Sequence, residues 1–252
     1  MSQRITWKHK ARALVAPVGK LLVLCLQLVG LGLLIGIGTA LAYTLIFAFF
    51  ASPAHGAAGI PAQANRHKAT LVQCARLEMG LSAPVALIAA QIHQESAWRE
   101  TAVSSAGAQG LAQFMPATAR WLPQVAPALR KGVNPEFNDM PVDKLPFSPA
   151  WALRAVCAYD RYLLQQTHGA ADEGERWAFA LRAYNGGLGW INKDRRKAAS
   201  LGLDSGVNFG VVDTVNTGRS KANFAENTQY PRRIFALAPR YKAAGWGHGV
   251  PL

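Results

Sequence analysis

Leu21–Phe50, LLVLCLQLVGLGLLIGIGTALAYTLIFAFF, is a run of thirty residues without a charge. A helix that crosses the hydrocarbon core of a bilayer needs roughly 20 such residues, whereas the apolar core of a cleavable leader uses roughly 7–15. The run therefore reads as one retained transmembrane helix, and it cannot also serve the core of a water-soluble domain. Cleavage at the small-x-small sequence Ala54-His55-Gly56 just beyond it is the alternative. Charge sets the orientation. Arg4, Lys8, Lys10, Arg12 and Lys20 precede the run and 51–65 holds no Lys or Arg, so the N-terminus is expected in the cytoplasm and the remainder outside. Inside the run, Gly32 and Gly36 form a G-x-x-x-G that on its own says little about helix pairing.

The chain then divides into a basic N-terminus (1–20), an anchor (21–50), a linker of small residues with Pro53 and Pro61 (51–65) and one exported domain (66–252). The net charge is +13; setting aside the five basic residues before the anchor leaves +8 on the exported part, which holds all fourteen acids. Such a surface suits an anionic polymer. The basic residues are scattered and Arg195-Arg196-Lys197 is a short cluster, a distribution that argues against nucleic acid. Of the cysteines, Cys25 falls in the anchor, while Cys74 and Cys157 fall in the exported domain, where an oxidising compartment lets them pair and two buried thiols fit equally well. There is no C-x-x-C and no H-x-x-x-H, so neither a metal nor a cofactor is expected.

Helical periodicity dominates the exported domain. A first helix, His67–Met79, carries Leu71, Cys74, Ala75 and Leu77 and is closed by Gly80. Ser82 is expected to cap a second, with Pro84 in its first turn and an apolar stripe through Val85, Ile88, Ala89 and Ile92. Six prolines between Leu122 and Ala150 predict a long surface connection, after which helices return at Trp151–Leu164 and Glu175–Tyr184. Asn192–Phe224 is polar and dotted with glycine, and reads as a lid, a specificity loop or a docking surface. Pro231 predicts that a closing helix begins there, with Tyr230 at its N-terminal rim.

The second helix ends on Glu95. Desolvation beside the apolar stripe and the negative end of the helix dipole both favour the protonated carboxyl. An acid that keeps its proton near neutrality is what cleavage of a glycosidic bond demands. A frayed helix end with Glu95 in water is the plain alternative. The following SSAGAQGLAQFMPATA sets Gly107, Gly110 and Gln113 three apart, glycines that let backbone approach a ligand and an amide that offers both donor and acceptor.

At these residues the chain resembles the lytic transglycosylase (SLT) family, relatives of goose-type lysozyme. The matching features are Glu95-Ser96, Ser104 nine residues on, Gly107-Ala108-Gln109-Gly110-Leu111-Ala112-Gln113, and Met115-Pro116-Ala117-Thr118-Ala119, with Ala112 where the family often has Met. Further on, Ala183-Tyr184-Asn185-Gly186-Gly187 resembles the family's A-Y-N-x-G, and Glu226-Asn227-Thr228-Gln229-Tyr230 its E-T-x-x-Y, with Asn227 in place of Thr. The resemblance spans about residues 71–241 and implies a mainly α, lysozyme-like domain. It implies Glu95 as the catalytic acid, with Ser104, Gln113, Met115, Tyr184, Asn185 and Tyr230 around the substrate.

It also implies a reaction on peptidoglycan glycan strands. Glu95 protonates the oxygen joining MurNAc to GlcNAc, the MurNAc acetamide shields the developing cation, and Glu95 then deprotonates the sugar's own primary hydroxyl to close an anhydro ring. A hydrolase of the two-carboxylate kind needs a second acid, for which Glu100, Asp139 and Asp143 are the loop candidates. A muramidase on the same fold, or an inactive wall-binding assembly subunit, are the competing readings. Together with the apolar run and its charge asymmetry, this predicts a bacterial inner-membrane, single-pass chain with the domain in the periplasm, the cleaved periplasmic form being the alternative. Secretion or conjugation machines, wall growth and phage release are all settings in which such anchored enzymes serve, and no residue here separates them.

Overall fold

A computed structural model describes residues 59–250, apart from 131 and 134, as seven α-helices joined by turns and short 3-10 stretches. The expected anchor at 21–50, the segment before it and most of the linker lie outside the described residues. Among those described, no helix is long and apolar enough to cross a membrane. The mainly helical expectation holds, and the only pairing of extended backbone among the described residues is a set of isolated bridges, Val103 with Gln109 and Gln109 with Phe114.

The caps explain where the helices begin and stop. Helix α1 (Lys68–Met79) ends on Gly80, whose φ of +86° suits glycine and whose N–H returns to the Arg76 carbonyl. Helix α2 (Val85–Ser96) begins later than expected: Pro84 occupies the cap position and no side chain caps it, so Ser82 stands outside. The stripe was also too narrow a reading. Every residue from Val85 to His93 is buried, which makes α2 the central helix of the fold rather than an amphipathic one. Leu87, Ile88 and Ile92 are fully inaccessible, each contributing about 1.5–3 kcal/mol through burial.

The proline-rich stretch is less of a surface connection than its composition implies. After the short α3 (Pro116–Trp121) come 3-10 turns at Leu122–Gln124, Pro127–Leu129, Pro135–Phe137 and Leu145–Phe147, which bury Leu122, Leu129, Phe137 and Leu145 in the main core. Prolines fit such turns because 3-10 stretches this short need few backbone donors. Helix α4 (Pro149–Gln166) has Ser148 as its cap and Pro149 at its first position, and α5 (Glu173–Gly186) has Asp172, whose carboxylate accepts from the Glu175 N–H at 2.8 Å. Cys74 and Cys157 are both buried free thiols.

Two expectations near the C-terminus are overturned. Residues 192–200 belong to α6 (Leu188–Ser200), so the polar segment is helical at its start. The closing helix, α7 (Lys221–Ala243), starts ten residues before Pro231, capped by the Ser220 hydroxyl on the Asn223 N–H. A proline inside a helix costs about 3 kcal/mol. Here buried contacts on both sides offset it: Asn227 and Tyr230 before the proline, Ile234 and Phe235 after it. Helix α7 lies against both α2 and α5, which brings the three ordered motifs together.

Asn227 belongs to a buried polar cluster that fastens α5, α6, α7 and the 200s loop. Arg182, fully inaccessible on α5, donates to Asp194 at 3.0 Å, Asn208 at 2.8 Å and Asn227 at 3.1 Å. Asp194 also binds Arg219 and accepts from the Thr217 hydroxyl at 2.7 Å. Burial pulls Arg182 down to about 10, partly countered by Asp194, so it stays charged at neutral pH. Asp194, Asn208 and Arg219 thus pin the 192–224 segment to α5 and α7 through charge-assisted bonds.

Candidate active site

Glu95 projects from the last turn of α2, and the chain then turns sharply. Ala97 and Trp98 both adopt left-handed backbone, with φ of +50° and +64°, at about 1–2 kcal/mol each for residues other than glycine. Burial of Trp98 holds this turn. Its indole N–H donates to the Tyr241 hydroxyl at 2.7 Å, its ring meets Trp246 and stacks on His67, and Gln63 donates to the Ala97 carbonyl at 2.9 Å. The carboxylate is thus aimed by a rigid aromatic lock on the far side of the helix end.

The neighbouring Ser96 hydroxyl donates to the Leu111 carbonyl at 2.8 Å and ties the helix to the glycine-rich loop. That loop is internally braced. Gln109 and Phe114 exchange both backbone bonds, Ala108 N–H donates to the Ser104 hydroxyl at 3.0 Å, and Gly110 N–H donates to the Ala102 carbonyl. Gly110, at φ +73°, sits so close to the Pro146 carbonyl oxygen that a Cβ would lie 1.7 Å from it.

Glu95, Ser104, Gln113, Met115, Tyr184, Asn185 and Tyr230, the whole set singled out in the sequence, line one cleft of about 380 Å³. Their roles as side chains differ. Gln113 spends its amide nitrogen inside the loop, on Gly110 at 2.9 Å and Ala102 at 3.2 Å, so its donor braces backbone instead of facing the cleft. The Tyr184 hydroxyl donates to the Ala112 carbonyl at 2.7 Å, joining α5 to the loop. Asn185 is exposed at the rim, where its carbonyl accepts from Asn227 at 3.1 Å. Met115 stands exposed at the start of α3.

Tyr230, buried in α7, donates its hydroxyl to Glu95 Oε1. Glu95 itself is half-buried at the cleft floor. Desolvation pushes its carboxyl up to about 8, the Tyr230 bond pulls the other way, and the Glu226 charge adds to the rise. A carboxyl raised in this way favours its protonated form at neutral pH, at the floor of the cleft.

Glu226 and Arg233 also line the cleft and escaped the sequence reading as site residues. With Tyr230 they stand at i, i+4 and i+7, one face of a helix, and placing the helix start at Pro231 hid that spacing. The loop acids lie elsewhere: Glu100 pairs with Arg66 and His67, Asp143 with Lys144, and neither these nor Asp139 line the cleft. A larger and shallower groove of about 850 Å³ runs along α1, but its lining from Asn65 to Leu81 contains no carboxylate and so no acid for this chemistry.

The transglycosylase SLT domain family matches residues 79–204, half of the chain and the part that holds the α2 end, the braced loop and the Tyr184 turn. This chain belongs to that family. Among curated relatives, a protein named membrane-bound lytic murein transglycosylase F from Pasteurella multocida (strain Pm70) is 32% identical over 118 residues, 47% of this chain and 20% of the relative. One of the same name from Actinobacillus succinogenes is 30% identical over 157 residues, 62% of this chain and 27% of the relative. The chain thus matches only about a fifth to a quarter of the length of these relatives. Of solved structures, an inactive variant of lytic transglycosylase Slt from Pseudomonas aeruginosa covers 72% of this chain and 25% of its own, at 24% identity and a TM-score of 0.49.

Proposed function

We propose that this chain is a peptidoglycan lytic transglycosylase in which Glu95 acts in turn as general acid and general base. Membership of the SLT family supports the class, and the names of the relatives point to the murein glycan as substrate. The observation that carries the mechanism is the half-buried Glu95, raised to about 8 and bonded to a single tyrosine hydroxyl at the floor of the cleft.

In the first step the Glu95 proton passes to the oxygen bridging MurNAc and GlcNAc, and the bond to the anomeric carbon breaks. The MurNAc acetamide, part of the substrate, shields that carbon. In the second step the Glu95 carboxylate takes the proton of the MurNAc primary hydroxyl, whose oxygen closes on the anomeric carbon. The acid is restored and no water is consumed. Tyr230 suits both halves, because its hydroxyl bond steadies the carboxylate that exists between them. Ser104, Asn185 and Met115 are placed to contact sugar, while Gln113 and Tyr184 act chiefly by fixing the loop.

Glu95→Gln is the direct test. Release of anhydro-muropeptides from purified sacculi, followed by mass spectrometry, should fall about a hundred- to ten-thousand-fold; undiminished release would remove Glu95 from the mechanism. One observation favours a second reading, a muramidase. Glu226 supplies the second carboxylate in the cleft that a hydrolase needs. That reading requires hydrated reducing ends, and their loss on Glu226→Gln. For the setting, we propose that 21–50 anchors the domain on the periplasmic face of the inner membrane, the cleaved form being the alternative. The charge asymmetry around that run supports it. Protease protection of the domain in intact cells, lost on opening the outer membrane, checks the orientation.

A further inference from the structure

Beneath the cleft lies a carboxyl group that the mechanism above does not use. Asp160, on α4 beside the cleft-lining Tyr159, is fully inaccessible. Its partner is Gln91, also fully inaccessible, one turn before Glu95 on α2. Gln91 Nε2 donates to Asp160 Oδ1 at 3.2 Å. The other oxygen of each group, Gln91 Oε1 and Asp160 Oδ2, has no hydrogen-bond partner among the described residues. Two bare acceptors on one buried amide–carboxyl pair are costly if the carboxyl is ionised, because neither can donate to the other. A single proton on Oδ2 supplies the donor that this pair lacks. A carboxylic acid and a primary amide then close a ring through paired hydrogen bonds.

The surroundings agree. The ionisable groups that face Asp160 are Glu95 from α2, Tyr159 and Cys157 from its own helix, Tyr184 from α5 and Tyr230 from α7. All are acids, and among the described residues no cation is seen to stand with them to hold a carboxylate. Burial pushes Asp160 well above the usual carboxylate range, with Glu95 adding to the rise and the Gln91 bond opposing it.

We propose that Asp160 is a protonated positioning residue, an uncharged latch that grips Gln91 and thereby fixes the turn of α2 from which Glu95 projects. Its protonation is a statement about the folded chain alone; its bearing on turnover rests on the lytic reading of Glu95. Because the latch is neutral, it fixes the helix without placing a second negative charge behind the catalytic carboxyl. Glu95 is left as the carboxyl of α2 that changes charge during turnover.

Infrared spectroscopy of the full chain at neutral pH, with and without isotope-labelled aspartate, tests this directly. The expected result is a protonated-carboxyl carbonyl band that shifts with the aspartate label, disappears in Asp160→Asn and persists in Glu95→Gln. Absence of any aspartate-sensitive band of that kind in the wild-type chain overturns the proposal, whether or not the variants fold. Kinetics give the second arm. Asp160→Asn rebuilds the ring as an amide pair, so kcat should stay within about twofold and the alkaline limb of the pH–rate profile should not move. Were Asp160 ionised, the same substitution would remove a negative charge near Glu95 and carry that limb to lower pH, which also overturns the proposal. The infrared arm requires no turnover, so failure of the lytic reading leaves it decisive.

Discussion

Glu95 sits between two influences of opposite sign, and each can be removed separately. Tyr230→Phe deletes the bond that holds its pKa down while leaving the ring that fills the space. kcat should drop about ten- to a hundredfold, the worth of a hydrogen bond to a charged group, with KM little changed. The alkaline limb should move to higher pH, and a limb that stays in place would deny the tyrosine its role. The wild-type limb itself belongs near pH 8, with activity lost above it as the acid form disappears. Stability follows the same proton. With a carboxyl near 4.5 in the unfolded chain and about 8 in the fold, the folded state alone holds the proton between those values. The contribution is complete below the lower value and is lost as pH rises through the upper one. Glu95→Gln should therefore gain stability over the wild type across that window. The gain is on the order of 1–2 kcal/mol in urea unfolding, once partial access to solvent is discounted; a flat difference would contradict the raised pKa.

Helix ends and turns, more than helix interiors, decide how the site is assembled. Gly110→Ala should be among the most damaging small substitutions in the chain, since its Cβ would meet the Pro146 carbonyl at 1.7 Å in left-handed backbone. A loss above about 2 kcal/mol in thermal or urea unfolding is expected, and a neutral effect would mean that the loop does not pack as described. Asp194→Ala strands Arg182 without its carboxylate and should cost about 3–5 kcal/mol by the same measure. Helix existence was legible in the sequence because apolar spacing and caps such as Asp172, Ser148 and Gly80 act locally. The start of α7 was not, because a proline that ends most helices is here overruled by bonds from Asn227 to α5 and from Tyr230 to α2, contacts across more than forty residues of chain. The same long range hid Glu226 in the cleft wall and the pairing of Gln91 with Asp160, which no spacing within one segment announces.

At the scale of the molecule, the three motifs form one cleft only because α7 packs on both α2 and α5. Their order in the sequence identified the cleft residues; the packing shows that two of them, Gln113 and Tyr184, spend polar atoms on bracing it. The cleft offers one raised acid bound to a tyrosine, and a second carboxylate, Glu226, at its wall. The first is sufficient for intramolecular ring closure, while the second would be required for attack by water. Which of these happens is written on the product. Purified chain acting on intact sacculi, with the new glycan ends resolved by mass spectrometry, should still yield anhydro-MurNAc termini in Glu226→Gln and at least about a hundredfold fewer in Glu95→Gln; hydrated reducing ends that depend on Glu226 would contradict the account.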